Sequence, residues 1–244
     1  MQTLKDKVIL ITGANRGIGK SLVKASLEKG ASKIYATSRD LSKMPNFGDN
    51  RVISLALDIT NSSQISKVAE ITKDTQILIN NAGVLNAGTI LEGETNVMEN
   101  DMNVNYYGTV NMMRAFAPIL EKNSPARIVN IVSIAAYSPL PFIAGYAASK
   151  TALLSATQSV RIELAKKGIT VHSVNPGAID TDMNKGSGME AMGNPDIVAT
   201  TILQEVETDT LDIVPDEMGQ GMFNAWQESP SKLADIFHNI YHGA

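Results

Sequence analysis

The fold of this chain is indicated most clearly by one stretch near its start, Val8-Ile9-Leu10-Ile11-Thr12-Gly13-Ala14-Asn15-Arg16-Gly17-Ile18-Gly19. Its four leading apolar residues are typical of a strand buried on both faces of a parallel sheet. The three glycines allow a tight turn into a helix, where backbone N–H groups can hold a phosphate. Such a turn is a weak signal alone, because glycine-rich turns also occur for steric reasons. Its place between a strand and a helix favours a dinucleotide site.

The alternation of strand and helix continues along the chain. Short runs rich in Val and Ile predict about seven strands, near residues 8–11, 34–36, 52–55, 77–79, 128–132, 169–174 and 211–214. Segments with helical periodicity lie between them, near 17–29, 62–73, 96–121, 147–167 and 194–206. This order predicts an α/β Rossmann fold, a doubly wound parallel sheet flanked by helices. No linker divides the chain, so we expect a single domain over residues 1–244, with a substrate loop at 182–195 and a C-terminal tail at 215–244.

Composition excludes several classes of protein. The 244 residues include no cysteine, which rules out a disulfide scaffold, a thiolate nucleophile and metal sites that need sulfur. His238 and His242 lack a suitable carboxylate beside them, so we expect no metal. The net charge of −4 and the absence of basic runs argue against nucleic-acid binding. No membrane span and no signal-peptide pattern is present in the sequence, so we expect a cytoplasmic protein.

The residues after the second strand indicate which dinucleotide is preferred. An NAD site usually has an acidic residue there to bind the ribose hydroxyls. Here Ser38 takes that place and Arg39 follows it, while Arg16 lies in the glycine turn. Guanidinium groups suit the 2′-phosphate of NADP(H), so we expect NADP(H) to be preferred. If both arginines are ordinary surface charges and Asp40 serves the ribose, the cofactor is NAD(H).

A candidate acid–base pair lies near the start of a later helix, where Tyr146 and Lys150 are four residues apart. Side chains at this spacing share a helix face. A nearby ammonium lowers the pKa of a phenol, which lets the pair exchange protons with a hydroxyl or carbonyl oxygen. Ser133 ends the preceding strand, at the edge where open α/β sheets bind ligands, and its hydroxyl can hold the substrate oxygen.

Together these motifs establish a resemblance to one family. The order and spacing of the short-chain dehydrogenase/reductase family are matched by Thr12-Gly13-x-x-x-Gly17-x-Gly19, Asn80-Asn81-Ala82-Gly83, Asn105, Ser133, Tyr146-x-x-x-Lys150 and Pro176-Gly177. The chain resembles that family from Lys7 to about Val214. The resemblance implies an oxidoreductase that transfers a hydride between a nicotinamide and a small alcohol or carbonyl compound.

The resemblance also implies catalytic roles. Tyr146 is expected to be the general acid in reduction and the base in oxidation. Lys150 is expected to lower the pKa of Tyr146 and to bind the nicotinamide ribose. Ser133 would orient the carbonyl, and Asn105 would support a water-linked proton relay behind Lys150.

For the cofactor, the resemblance implies that Asp58 contacts the adenine and that Asn81 lines the cleft. Ile179 and Thr181 would hold the nicotinamide carboxamide. The expected cofactor site comprises Gly13, Asn15, Arg16, Gly17, Ile18, Gly19, Ser38, Arg39, Asp58, Ile59, Asn81, Ala82, Gly83, Tyr146, Lys150, Pro176, Gly177, Ile179 and Thr181.

The substrate is the least determined part of the site. It is expected to meet Ser133 and Tyr146, and apolar walls from Ala135, Ile143, Met183, Met189 and Met192. Such walls hint at an uncharged or aliphatic substrate, although most ligand pockets have apolar walls.

The C-terminal part departs from the common family pattern. Many members end in a glycine-rich strand segment that builds a tetramer, whereas here a polar segment and a helix-like tail from Ser231 to His242 follow Asp216. A tetramer is therefore in doubt, and we expect a homodimer through the helices at 96–121 and 147–167.

Two other functions stay open. A non-catalytic cofactor-binding sensor could share the fold, and loss of Tyr146 or Lys150 would favour it, but both are present. Epimerases and dehydratases that hold NAD tightly generally carry a larger C-terminal substrate domain, for which little chain follows residue 200.

Overall fold

A computed structural model describes residues 3–186, 188–189 and 192–243. This part of the chain contains seven strands: β1 Val8–Ile11, β2 Lys33–Ser38, β3 Val52–Ala56, β4 Ile77–Asn80, β5 Ala126–Ile131, β6 Ile169–Val174 and β7 Asp212–Ile213. They form one sheet in the order β3-β2-β1-β4-β5-β6-β7, and every neighbouring pair is parallel. The predicted α/β Rossmann fold is confirmed.

Helices connect the strands and extend the chain beyond β7. They are α1 Gly17–Glu28, α2 Ser62–Ile71, α3 Thr95–Asp101, α4 Thr109–Lys122, α5 Ala144–Leu164, α6 Pro195–Glu207, α7 Glu217–Glu228 and α8 Pro230–His242. A π-helical segment, Met102–Gly108, joins α3 to α4. Among these helices none is long and apolar enough to cross a bilayer, as judged over the described residues.

The core lies on both faces of the sheet. On one face α1 and α6 contact each other and bury residues such as Leu22 and Ile202 against the strands. On the other face the buried residues include Val68 of α2 and Phe116 and Leu120 of α4. Burial of an aliphatic or aromatic side chain of this size contributes about 1.5–3 kcal/mol. Both faces are covered, which explains why the strands are apolar throughout rather than alternating.

The strand order places a ligand crevice at one edge of the sheet. The chain runs outward from β1 through β2 to β3, and then returns to the other side of β1 to form β4. The strand order therefore reverses its direction between β1 and β4. The connections that follow these two strands lead away from each other, which leaves a crevice outside their carboxyl ends. The glycine turn after β1 and the Asn80-Asn81-Ala82-Gly83 segment at the end of β4 therefore face the same space.

The structure differs from the sequence-based predictions in the helices. Helix α5 begins at Ala144, three residues before the predicted start, so Tyr146 lies in its first turn. The helix predicted over 96–121 is divided by the π-helical segment. Helix α7 was not predicted, because Gly219 and Gly221 each lower helix propensity by about 1 kcal/mol. Within the predicted substrate loop 182–195, Ser187, Glu190 and Ala191 lie outside the described residues.

Candidate active site

A cavity of about 800 Å³ lies over the carboxyl edge of the sheet. It runs from the glycine turn, past Tyr146, to helices α7 and α8. All predicted cofactor residues line it except Gly19, and so do all predicted substrate residues except Met192, among the residues described. The predicted catalytic residues Ser133, Tyr146 and Lys150 line it as well, whereas Asn105 lies behind its wall.

The glycine turn is tied to the end of β4 by hydrogen bonds. The Thr12 hydroxyl accepts from the backbone N–H groups of Asn81 and Ala82, each at 3.0 Å. The Asn81 side chain donates in return to the Thr12 and Gly13 carbonyls, at 2.9 and 3.0 Å. Gly19 packs directly behind this turn, and a Cβ there would lie 2.2 Å from the Gly13 oxygen. Gly19 is therefore needed for the close packing of the turn rather than as a lining residue.

The turn fits the pyrophosphate of a dinucleotide. Gly13 and Gly17 adopt φ values of +66° and +51°, which L side chains rarely adopt. Helix α1 begins at Gly17 with no side-chain cap and no acidic residue in its first turn. Its first N–H groups are thus free of a side-chain capping partner, and the helix dipole favours an anion there.

The adenosine end of the cavity carries three cationic side chains. Arg16 and Arg39, which were predicted, are joined by Lys43, which was not. The Asp40 carboxylate accepts from the Ser42 backbone N–H and hydroxyl, at 3.0 and 2.7 Å, and these bonds lower the pKa of Asp40. Asp40 thus caps the short 3₁₀ turn that carries Lys43. In the sequence, Lys43 could have been found only by its position one turn after Asp40.

The rest of this end of the cavity has apolar walls beside a few polar groups. Ile59 and Leu57, at the end of β3, line the same part of the cavity as Asp58. The Asp58 carboxylate accepts from the Thr60 backbone N–H and hydroxyl, at 2.9 and 2.7 Å. Ser38 is buried, and its hydroxyl donates to the Asp40 carbonyl at 2.9 Å. Apolar walls suit a base, and the cations suit a phosphate on its ribose.

Tyr146 and Lys150 lie next to each other in the middle of the cavity, on the first two turns of α5. The Lys150 Nζ atom is 5.6 Å from the centre of the Tyr146 ring and donates to the Ile131 carbonyl at 2.8 Å. Ser133 follows β5, and its hydroxyl accepts from the Ala135 N–H at 3.1 Å. All three side chains are buried. The arrangement brings a phenol, an ammonium and a hydroxyl to the wall of one cavity.

The two ionisable groups are shifted mainly by burial. Burial raises the pKa of Tyr146 to about 12, although a hydrogen bond with Ser133 acts to lower it. Burial lowers the pKa of Lys150 to about 8. The direction for Tyr146 is opposite to the lowering expected from the sequence. The reason is that both groups are enclosed and that the ammonium is bonded to the Ile131 carbonyl rather than to the phenol oxygen.

Asn105 lies in the π-helical segment and makes three side-chain hydrogen bonds. Its amide group donates to the Val84 carbonyl and the Ser149 hydroxyl and accepts from the Val84 N–H, each at 2.9 Å. Ser149 in turn donates to the Tyr146 carbonyl at 2.7 Å. Asn105 therefore connects the segment after β4 to the start of α5. The proton relay expected from the resemblance stays a prediction.

Asp101 is a further charged group near the pair that the sequence did not single out. It is fully buried, and its Oδ1 atom accepts from the Asn86 side chain at 2.8 Å. Its Oδ2 atom has no hydrogen-bond partner among the described residues. The charge of Asp101 raises the pKa of both Tyr146 and Lys150. No motif surrounds this aspartate, so nothing in the sequence marked it.

The substrate end of the cavity is apolar. The predicted residues Ala135, Ile143, Met183 and Met189 line it. Sequence reasoning missed several further apolar lining residues, among them Leu85, Leu140, Phe142, Met218, Met222 and Phe237. Three of these come from α7 and α8. They were missed because the sequence of a C-terminal helix does not indicate which surface of the protein the helix packs against.

A parallel sheet with this crevice and this buried phenol–ammonium pair defines a dinucleotide-dependent oxidoreductase of the Rossmann class. The family model for short chain dehydrogenases matches residues 7–191. The chain therefore belongs to the short-chain dehydrogenase/reductase family.

Individual relatives agree with this assignment. An uncharacterised oxidoreductase of Staphylococcus saprophyticus subsp. saprophyticus is 34% identical over 195 residues, 75% of this chain and 83% of the relative. The crystal structure of a short chain dehydrogenase from Burkholderia cenocepacia J2315 in complex with NADP has 35% identity and a TM-score of 0.92, covering 97% of this chain and 99% of that chain. A short chain dehydrogenase/reductase from Burkholderia phymatum in complex with NAD is similar in fold, with 23% identity and a TM-score of 0.84, covering 93% and 95%.

Proposed function

We propose that this protein is an NADP(H)-preferring alcohol dehydrogenase or carbonyl reductase, with Tyr146 as its general acid and base. The observation that carries the proposal is the buried contact between Tyr146 and Lys150, on the wall of a cavity that begins at the glycine turn. When bound, NADPH supplies the hydride for the carbonyl carbon. Tyr146 gives a proton to the carbonyl oxygen, and Ser133 holds that oxygen beside it.

The state of Tyr146 supports its role in reduction. A phenol with a pKa of about 12 is protonated at neutral pH, which is the state required of a proton donor. Lys150, with a pKa of about 8, exchanges protons more readily near neutrality than an ordinary lysine. In the oxidative direction Tyr146 has to lose its proton first, so alcohol oxidation is expected to be favoured at high pH.

Replacement of the phenol tests this role directly. We expect Tyr146→Phe to lower kcat for carbonyl reduction by about 10²- to 10⁴-fold, because only the proton donor is removed. Binding of NADPH, followed by its fluorescence, should stay within about twofold of the wild type. Tyr241→Phe, the same change at an exposed site on α8, is the matched control and should keep full activity. Turnover of Tyr146→Phe near the wild-type rate would refute the proposal.

The preference for NADP(H) is supported by the charges at the adenosine end. Arg16, Arg39 and Lys43 lie there, while the Asp40 carboxylate is engaged by Ser42. The NADP complex of the 35% identical Burkholderia cenocepacia relative supports the same choice. NAD(H) is the alternative, in which Asp40, which also lines the cavity, binds the ribose.

A comparison of the two cofactors tests this preference. We expect a higher kcat/KM with NADPH than with NADH. Arg39→Leu should lower kcat/KM for NADPH by about 10- to 100-fold, since a charged hydrogen bond contributes about 1.5–3 kcal/mol. NADH turnover by the same variant is the internal control and should change little. Equal or better use of NADH by the wild type would contradict the assignment.

We further propose that the protein acts as a homodimer through the helical region 95–122 and helix α5. Tyr107 and Ile162 are large apolar side chains exposed on these two elements, with 54% and 79% of their surface accessible. Burial of these two side chains against a partner subunit would remove their apolar surface from water, which favours association. We place the protein in the cytoplasm, because a nicotinamide cofactor has to be recycled by other enzymes of the cell.

A further inference from the structure

The C-terminal helices form one wall of the cavity. Phe237 of α8 is 2% exposed and packs in one apolar cluster with Tyr146, Ile143 and Leu140. Met222 of α7 packs against the same cluster and also lines the cavity. Because Phe237 and Met222 line the cavity and belong to the apolar cluster that includes Tyr146, they are in a position to touch the substrate.

This wall is held firmly from behind. The Trp226 ring of α7 lies 4.8 Å from Tyr137 and 5.7 Å from Phe223, measured between ring centres. The Phe142 ring, in the segment before α5, stacks on Tyr241 of α8 at 6.4 Å. Aromatic rings at these distances attract each other beyond the burial of their surface. Both helices are therefore fixed to the segments that flank the catalytic residues.

None of the charged side chains that line the cavity, among the described residues, comes from α7 or α8. Among the described residues the charged lining side chains are Arg16, Arg39, Asp40, Lys43, Asp58, Lys150 and Asp182. Arg16, Arg39, Asp40, Lys43 and Asp58 belong to the cofactor end. Lys150 bonds to the Ile131 carbonyl, and Asp182 pairs with Arg16 at 3.6 Å. A carboxylate or phosphate on the substrate would meet apolar surface at the wall and lose its hydration without a partner.

We propose that helices α7 and α8 select the substrate, and that it is an uncharged ketone, or the matching secondary alcohol, whose hydrocarbon group packs on Phe237 and Met222. This inference rests on the proposed function, since it takes the oxygen-bearing carbon to lie at Tyr146. The methionines at this end, Met183, Met189, Met218 and Met222, are flexible and adapt to hydrocarbon groups of different shape.

A substrate series tests the chemical class. Methyl ketones of increasing chain length are compared with keto acids of equal length, which carry a terminal carboxylate, by the consumption of NADPH. We expect kcat/KM to rise about fourfold for each methylene that reaches the apolar wall, the equivalent of about 0.8 kcal/mol. The keto acids should be at least about tenfold poorer than the ketones. Keto acids that are reduced faster than ketones of the same length would overturn the proposal.

Variants test the residues of the wall. Phe237→Ala should shift the preferred ketone to a bulkier one, because it enlarges the cavity. Ile240→Ala is the matched control, an exposed aliphatic residue on the same helix, and should leave the order of the series unchanged. Met222→Lys is a second variant at a half-buried position, and it should improve keto acids relative to ketones. If Phe237→Ala and Met222→Lys both keep the wild-type order of substrates, the wall does not select the substrate.

A binding measurement separates this inference from the proposed function. The ketone and keto acid series are titrated into the complex of Tyr146→Phe with NADPH, and NADPH fluorescence is followed. If the ketones bind more tightly with increasing chain length but the wild type does not reduce them, the proposed apolar wall is supported and the proposed reductase activity is refuted. Turnover that favours keto acids would support the reductase and refute the wall. Failure of both series to bind would overturn the wall, whatever the activity.

Discussion

Asp101 is buried at the end of α3 with one of its two carboxylate oxygens lacking a hydrogen-bond partner among the described residues. An isolated buried charge is costly, so a compensating group is expected close by. The described groups that act on it electrostatically are Asn86, which donates a hydrogen bond to it, and the buried ammonium of Lys150. Gly145, next to Tyr146, leaves room for it, since a Cβ there would lie 3.1 Å from the Asp101 Oδ2 atom.

Removal of this charge should move the pH dependence of catalysis. Asp101 raises the pKa of Tyr146, so Asp101→Asn lowers that pKa. Alcohol oxidation needs the deprotonated phenol and rises with pH, and in Asp101→Asn this rise should occur at lower pH than in the wild type. The measurement is the pH profile of kcat/KM for oxidation. Glu99→Gln, an exposed site on the same helix, is the control, and identical profiles for Asp101→Asn and the wild type would contradict the prediction.

At the scale of single residues, the sequence predicted what belongs to motifs and missed what does not. Tyr146, Lys150, Gly13 and Gly17 carry fixed spacings, and the structure brings them to one cavity. Asp101 and Phe237 have no such spacing, because their positions depend on packing between elements that are distant in the chain. The shift of the Tyr146 pKa also depends on burial, which residue types alone do not determine.

At the scale of elements, the strands were predicted closely and the helices less so. The chain from Thr95 to Lys122 is apolar at helical spacing throughout, and a π-helical segment changes that spacing too little to be recognised. Helix α7 was hidden by its glycines, of which Gly219 is required by close packing. A Cβ at Gly219 would lie 2.9 Å from both the Asp216 Oδ1 atom and the Gly177 nitrogen.

Asp216 links the segment after β6 to helix α7, and its replacement should lower the stability of the protein. Its Oδ1 atom accepts from the Gly177 N–H and its Oδ2 atom from the Gly219 N–H, each at 2.9 Å. Asp216→Asn can accept only one of these bonds, so we expect a loss of about 1–3 kcal/mol in the free energy of unfolding. Thermal unfolding should show a Tm lower by about 2–10 °C. Asp235→Asn, exposed on α8, is the control, and an unchanged Tm for Asp216→Asn would contradict the prediction.

At the scale of the whole molecule, we propose that the chain folds as a single domain. One sheet runs through it, and the tail helices pack on residues of α5 and of the segment before it. We therefore expect the loss of helical circular dichroism and the loss of Trp226 fluorescence to coincide on heating. Two separate transitions, with Trp226 changing first, would show that the tail unfolds on its own.

Helices α7 and α8 follow the part of the chain that the family model matches. The family model ends at residue 191, whereas both helices lie beyond it. The residues proposed for hydride and proton transfer thus lie within the part of the chain that the family model matches, and the proposed substrate wall lies mostly outside it. A relative that matches only residues 7–191 therefore carries information about the proposed reaction and none about this wall. Exchange of residues 217–242 between two relatives should accordingly transfer substrate preference while the cofactor chemistry is inherited unchanged.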